Sequence, residues 1–132
     1  FLDQATWCVM NDYESQLMMK TTGDSIEALA ERVDALIVTQ GGQGSIIHSG
    51  GKHIEIPPIK VKNAVDPTGC GDAYRAGLLL GLERNWDWET SGRVASLIGA
   101  IKVGHEGTQN HTCSLESFCE AYNKNFDRSL SL

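Results

Sequence analysis

The chain has 132 residues, of which 41% are apolar, and a formal charge of −6; this is enough for a modest packed core and too apolar for a disordered chain. Its 11 basic residues are scattered, Lys60 and Lys62 being near neighbours without forming a run, so nucleic acid is excluded as a partner. No apolar stretch reaches the length of a membrane span, no leader pattern is read at Phe1-Leu2-Asp3-Gln4, and the four cysteines (Cys8, Cys70, Cys113, Cys119) show no C-x-x-C pairing, which together predict a reduced, cytoplasmic protein.

In chain order, Ala5 to Met10 reads as a short buried strand, entered abruptly and without an initiator Met. That opening is the pattern expected of a piece of a longer chain. Asn11 to Glu14 turns out of the strand and Ser15 to Lys20 makes a short helix. Asp24 followed by Glu27 is an Asp-x-x-Glu capping pattern, which predicts a helix from about Ser25 with Ile26, Leu29, Ala30 and Val33 on its apolar face. Ala35 to Thr39 is a second buried strand and Gln40 to Gly44 a turn. Ser45 to His48 and Lys52 to Pro57 alternate like hairpin strands around Ser49-Gly50-Gly51. Beyond Ile59 to Val65 the period becomes helical. Ala73, Ala76, Leu79, Leu80 and Leu82 line a helix running from Asp72 to about Asn85. Trp86-Asp87-Trp88 connects to a helix over Glu89 to Val103, with Val94, Leu97, Ile98 and Ile101 inward. Gly104 to His111 is a polar loop, and Ser114 caps a last helix with Leu115, Phe118 and Tyr122 on one face. This order predicts an α/β layer fold.

The segment that carries chemistry is Asn63-Ala64-Val65-Asp66-Pro67-Thr68-Gly69-Cys70-Gly71-Asp72-Ala73-Tyr74-Arg75-Ala76-Gly77. A loop with two glycines enters the N-terminus of an apolar helix. The first amides of a helix lack intrahelical acceptors and carry partial positive charge, and glycines let the backbone approach a ligand closely. Such a loop suits a phosphoryl group. A carboxylate there, at Asp72, makes chemical sense if it accepts the proton of an attacking hydroxyl. The bland alternative is a helix cap following an ordinary glycine turn. Arg75, one turn further on, either steadies phosphate charge or pairs with a carboxylate, and pairing is the simpler expectation. Gly41-Gly42-Gln43-Gly44 lacks the full G-x-G-x-x-G and runs into a strand, which disfavours a dinucleotide site. No P-loop pattern is present. His105, His111 and Cys113 fit no standard zinc spacing. Trp7, Trp86 and Trp88 read as packing residues.

Asp66-Pro67-Thr68-Gly69-Cys70-Gly71-Asp72-Ala73 resembles the D-T-x-G-A-G-D signature of the ribokinase-like (PfkB) carbohydrate kinases. Asn11-Asp12-Tyr13-Glu14 resembles that family's N-x-x-E magnesium motif, Thr39-Gln40-Gly41-Gly42-Gln43-Gly44 its T-x-G-x-x-G nucleotide turn, and Gly107-Thr108-Gln109 its late G-A-Q-like loop. The four pieces stand in the family's order and cover essentially the whole chain. Gly107 to His111 with Tyr74 to Gly77 looks most like the bacterial adenosine-kinase-type branch.

The resemblance implies a ribokinase-like three-layer α/β sandwich, of which residues 1–132 are the C-terminal, nucleotide-binding part of a single kinase domain, without its N-terminal half and sugar-binding lid. It implies ATP-dependent phosphoryl transfer to a primary hydroxyl of a nucleoside or sugar, adenosine foremost. Asp72 would be the catalytic base, and the backbone of Gly69, Cys70 and Gly71 the anion hole. Asn11, Thr39, Gly41 and Gly44 would line the nucleotide. Glu14 would reach magnesium through water, and Asp66 and Thr68 would hold a monovalent cation such as potassium. Cys70 in place of the family's Ala adds a site of oxidation. Pro67 in place of its Thr removes one N–H and weakens the case for the cation. A homodimer would form through the lid. From other classes come a nucleotide-binding module without activity of its own and a pseudokinase serving in assembly.

Overall fold

The computed structural model describes residues 2–61, 63–107 and 112–130. The chain forms two compact units, Phe1–Pro58 and Ile59–Leu132. The expected α/β class is realised, with a mixed sheet in the first unit and helices in both.

The first unit carries four strands, β1 (Trp7–Asn11), β2 (Ala35–Thr39), β3 (Ser45–Ser49) and β4 (Lys52–Ile56), ordered β1-β2-β3-β4. β1 and β2 are parallel, in the register Cys8↔Leu36, Met10↔Val38 and Asn11↔Thr39. The β2–β3 and β3–β4 pairs are antiparallel. Two helices, α1 (Asp12–Thr22) and α2 (Ile26–Ala30), link β1 to β2. Period-two alternation puts Met10, Leu36 and Val38 on one sheet face. They form a core there with Leu29, against Cys8, Met18, Met19 and Ile26. Trp7, expected to pack, is 41% exposed at the start of β1.

Local chemistry moves two boundaries. Asn11 does not turn the chain out of β1: it is the N-cap of α1, so that helix begins three residues earlier than expected. Ser25, rather than Asp24, caps α2 by accepting from the Ala28 amide. The Asp24 carboxylate is engaged by Arg32, at 3.1 Å. The turn after β2 closes on Gly44, whose φ of 96° is open to glycine; a Cβ there would lie 2.1 Å from the Ile56 carbonyl oxygen.

The second unit is built from α3 (Cys70–Glu83), α4 (Trp88–Val103) and α5 (Leu115–Phe126). α3 starts two residues before the expected Asp72, because Gly69 adopts the left-handed conformation (φ 80°) and ends the loop there. Asp72 is therefore in the first helical turn and is not the cap. α4 gains Trp88 because the Asp87 side chain accepts from the Thr90 amide and caps it.

The inward face of α3 also differs from expectation. Tyr74, Gly77, Leu78 and Gly81 are buried, while Leu79 is 60% exposed. Glycine faces α4: a Cβ on Gly77 would lie 2.5 Å from the Ala95 Cα, and one on Gly81 would lie 2.3 Å from the Ser91 Oγ. The two helix backbones meet where side chains are smallest, which a count of apolar side chains overlooks. Val94, Leu97 and Tyr122 form the core of this unit, with Ile98, Ile101, Trp86 and Phe118 around them. Leu115, expected to face inward, is 67% exposed in the opening turn of α5.

Candidate active site

In the first unit the expected nucleotide residues gather at the carboxyl end of the parallel strand pair, the usual ligand edge of such sheets. Asn11 and Thr39 are register partners there. The Asn11 Oδ1 accepts from the Glu14 amide and the Glu14 Oε2 accepts from the Asn11 amide, both at 2.8 Å. This reciprocal capping box satisfies two amides at the start of α1. It fixes the Glu14 carboxylate through one oxygen, in an exposed position. No group of three His, Cys, Asp or Glu residues suited to a metal occurs among the described residues. A single anchored carboxylate fits magnesium held through its own water shell, as Mg²⁺ sheds water reluctantly. The Thr39 hydroxyl lies 3.5 Å from the Met10 carbonyl. Gly41 (φ 55°) and Gly44 shape the 3₁₀ turn that follows β2.

In the second unit the loop before α3 presents its backbone. Among the described residues, the amides of Gly69, Gly71 and Asp72 have no backbone acceptor, as expected for a helix start. Cys70 departs from the expected anion hole: its amide donates to the Pro67 carbonyl at 3.1 Å. Burial pushes the Cys70 thiol up, Lys102 opposing and Asp66 adding to the shift. Less thiolate works against the oxidation expected at this position. The Asp72 carboxylate is 86% exposed and faces Arg75, whose Nη1 is 3.2 Å away. That guanidinium also passes 3.5 Å from where a Gly71 Cβ would stand. The simpler expectation for Arg75, a carboxylate partner, is met, and the partner is the candidate base itself.

Asp66 is the hub of this loop. Its Oδ1 accepts from the Thr68 amide at 2.9 Å and its Oδ2 from the Gly107 amide at 3.0 Å. The Thr68 amide and hydroxyl, the Gly107 amide and the charge of Lys102 hold the Asp66 carboxyl down to about 2. Lys102 is not among the residues expected at the site. Its side chain is fully buried, and Nζ donates to the Asp66 carbonyl at 2.8 Å and the His105 carbonyl at 3.4 Å, 3.9 Å from the Asp66 Oδ2. The available signal was its place eleven residues, about three helical turns, after Ser91 on the buried face of α4. Of the late loop, Gly107 reaches Asp66; Thr108, Gln109, Asn110 and His111 lie outside the described residues.

The profile of the pfkB family carbohydrate kinases matches residues 1–114. A nucleoside kinase of Methanocaldococcus jannaschii is 35% identical over 123 residues, covering 93% of this chain and 41% of that protein. A ribokinase of Bacillus subtilis is 32% identical over 108 residues, covering 82% and 36%. The solved structure of Burkholderia thailandensis nucleoside kinase in complex with inosine superposes with a TM-score of 0.94 at 40% identity, over 98% of this chain and 43% of that one. The same kinase in complex with ADP-inosine gives 0.93 at 40% identity, over 97% and 40%. The chain thus spans about two-fifths of the length of these relatives. With the Asp66–Asp72 loop, the Asn11–Glu14 pair and the turn after β2 in one sequence, and the family profile running through all of them, the chain belongs to the pfkB family of carbohydrate kinases.

Proposed function

We propose that the full-length protein transfers the γ-phosphoryl group of ATP to a primary hydroxyl of a nucleoside, with Asp72 as the base. The observation that carries this reading is the juxtaposition at the start of α3: an exposed carboxylate at Asp72, beside helix amides at Gly71 and Asp72 that have no backbone acceptor, with the Arg75 guanidinium at 3.2 Å. Asp72 takes the proton of the attacking hydroxyl. The Gly69 and Gly71 amides and the dipole of α3 hold the charge that develops on the transferred group. Since the Cys70 amide is bound to Pro67, Cys70 contributes the shape of the loop rather than a donor. Thr39, Gly41 and Gly44 line the nucleotide, and Asn11 orients Glu14. Magnesium, when bound, supplies charge neutralisation at the phosphates, and Glu14 engages its water shell.

Nucleoside kinases among the relatives, one in complex with inosine, favour a nucleoside over a free sugar, with adenosine and inosine the leading acceptors. The four free thiols fit a reducing, cytoplasmic compartment. No helix among the described residues is long and apolar enough to cross a membrane.

The test is ADP release by the full-length protein with adenosine, inosine, ribose and fructose, in wild type and Asp72→Asn. Nucleoside-dependent turnover that falls by a factor on the order of 10²–10⁴ in Asp72→Asn is expected. Turnover unaffected by the substitution removes Asp72 from the base role. ATP binding without turnover on any acceptor favours a nucleotide-binding module.

A further inference from the structure

We propose that Lys102 is the resident cation of the loop that presents Gly69, Gly71 and Asp72, standing where Asp66 and Thr68 were expected to hold an alkali ion. A buried ammonium is tolerated only when its donors are matched. Lys102 is 0% exposed; its Nζ donates to the carbonyls of Asp66 and His105, and the Asp66 Oδ2 stands 3.9 Å away as its counter-charge. Carbonyl oxygens plus one carboxylate around a monovalent charge also make a shell that potassium accepts.

Here that shell is taken. The Asp66 carbonyl accepts from Nζ, and both of its carboxylate oxygens accept from backbone amides. A second cation at the same oxygens would meet the ammonium at short range, where like charges repel strongly. Asp66 and Thr68 therefore do not fit as ligands of potassium in this chain.

The position of Lys102 gives it a lever on the site. It lies in the last turn of α4, where helix carbonyls favour positive charge. The adjacent Val103 carbonyl accepts from the amides of Val65 and Asp66, at 2.8 and 3.2 Å. The end of α4 thus grips the loop by backbone and by charge. Asp66 then passes the constraint on through Thr68, and the Pro67 carbonyl through the Cys70 amide, to the start of α3. Lys102 is a positioning residue: it touches neither reactant and sets the loop that does.

The activity readout rests on the proposed kinase reaction; the stability readout does not. The experiment compares full-length wild type and Lys102→Met in potassium chloride and in choline chloride of equal ionic strength, reading turnover and thermal midpoint. Wild type is expected to give the same values in both salts. Lys102→Met should lose about 5–10 °C of midpoint and about tenfold in turnover. Potassium, and not choline, should recover part of both losses. Wild type activated or stabilised by potassium over choline overturns the proposal and needs no variant, so it decides even if Lys102→Met does not fold. Losses in Lys102→Met that are equal in the two salts also overturn it, because a merely structural lysine behaves that way. Wild type without turnover on any acceptor sinks the kinase reading instead, and the midpoints still decide the cation.

Discussion

The Arg75 guanidinium stands 3.2 Å from the Asp72 carboxylate, one turn further along α3, with both side chains open to solvent. An exposed pair of this kind contributes little to folding. Its weight lies in the field at the helix start, where phosphoryl charge would develop. Arg75→Ala is therefore expected to lower kcat/KM about tenfold or more, with a thermal midpoint changed by less than about 2 °C. Arg75→Lys should recover part of the rate. A lowered midpoint with unaltered kcat/KM would reduce Arg75 to a surface ion pair.

The Asn11–Glu14 box lets folding and metal use be separated. Asn11→Ala removes the cap of α1 and is expected to cost about 1 kcal/mol, read from the urea midpoint. Glu14→Gln keeps an oxygen that can accept from the Asn11 amide but removes the charge. Its stability should stay near wild type while the magnesium needed for half-maximal turnover rises several-fold. Equal magnesium dependence in the two proteins would leave Glu14 a helix cap and nothing more.

Both glycine contacts carry the same kind of expectation. Gly44→Ala must fit a Cβ 2.1 Å from the Ile56 carbonyl at a φ of 96°. Gly81→Ala must fit one 2.3 Å from the Ser91 Oγ. Backbone cannot yield as a side chain can, so Gly44→Ala should destabilise by about 3 kcal/mol or more and Gly81→Ala by about 1–3 kcal/mol. Ser91→Gly in the Gly81→Ala background should restore part of the second loss, which denaturant titration of the double variant would show.

What the sequence revealed and what it hid follow from the range of the interactions. The strand Ala35–Thr39 and the hairpin after it were legible because period-two alternation and glycine turns are local signals. The loop from Asp66 to Asp72 stands out in the sequence because two glycines and two aspartates fall within seven consecutive residues. Asn11 is expected at the nucleotide and Glu14 at magnesium, although Asn-x-x-Glu ahead of a helix is equally a capping pattern, and the cap is what the structure shows. The inward face of α3 was misread because its contact residues are glycines. Helical spacing puts Lys102 on the buried face of α4, but no period says what it meets there: its 2.8 Å acceptor is a backbone oxygen 36 residues away.

Asp66 makes the acid limit of stability a specific expectation. Its carboxyl is held at about 2 in the folded chain against an ordinary 3.8, chiefly by the amide and hydroxyl of Thr68 and the amide of Gly107. A depressed carboxyl binds fewer protons folded than unfolded, so its contribution is fully present above 3.8 and is lost as pH falls toward about 2. Asp66→Asn removes that titration and leaves Lys102 without its carboxylate. The variant should be less stable than wild type at neutral pH. The gap between their urea midpoints should narrow as pH drops from 3.8 to about 2. A gap that stays constant through this window would mean that the Asp66 carboxylate is not held by the bonds described, and that the loop before α3 is fixed by its backbone contacts, those of Val103 and the Lys102 bond to the Asp66 carbonyl among them.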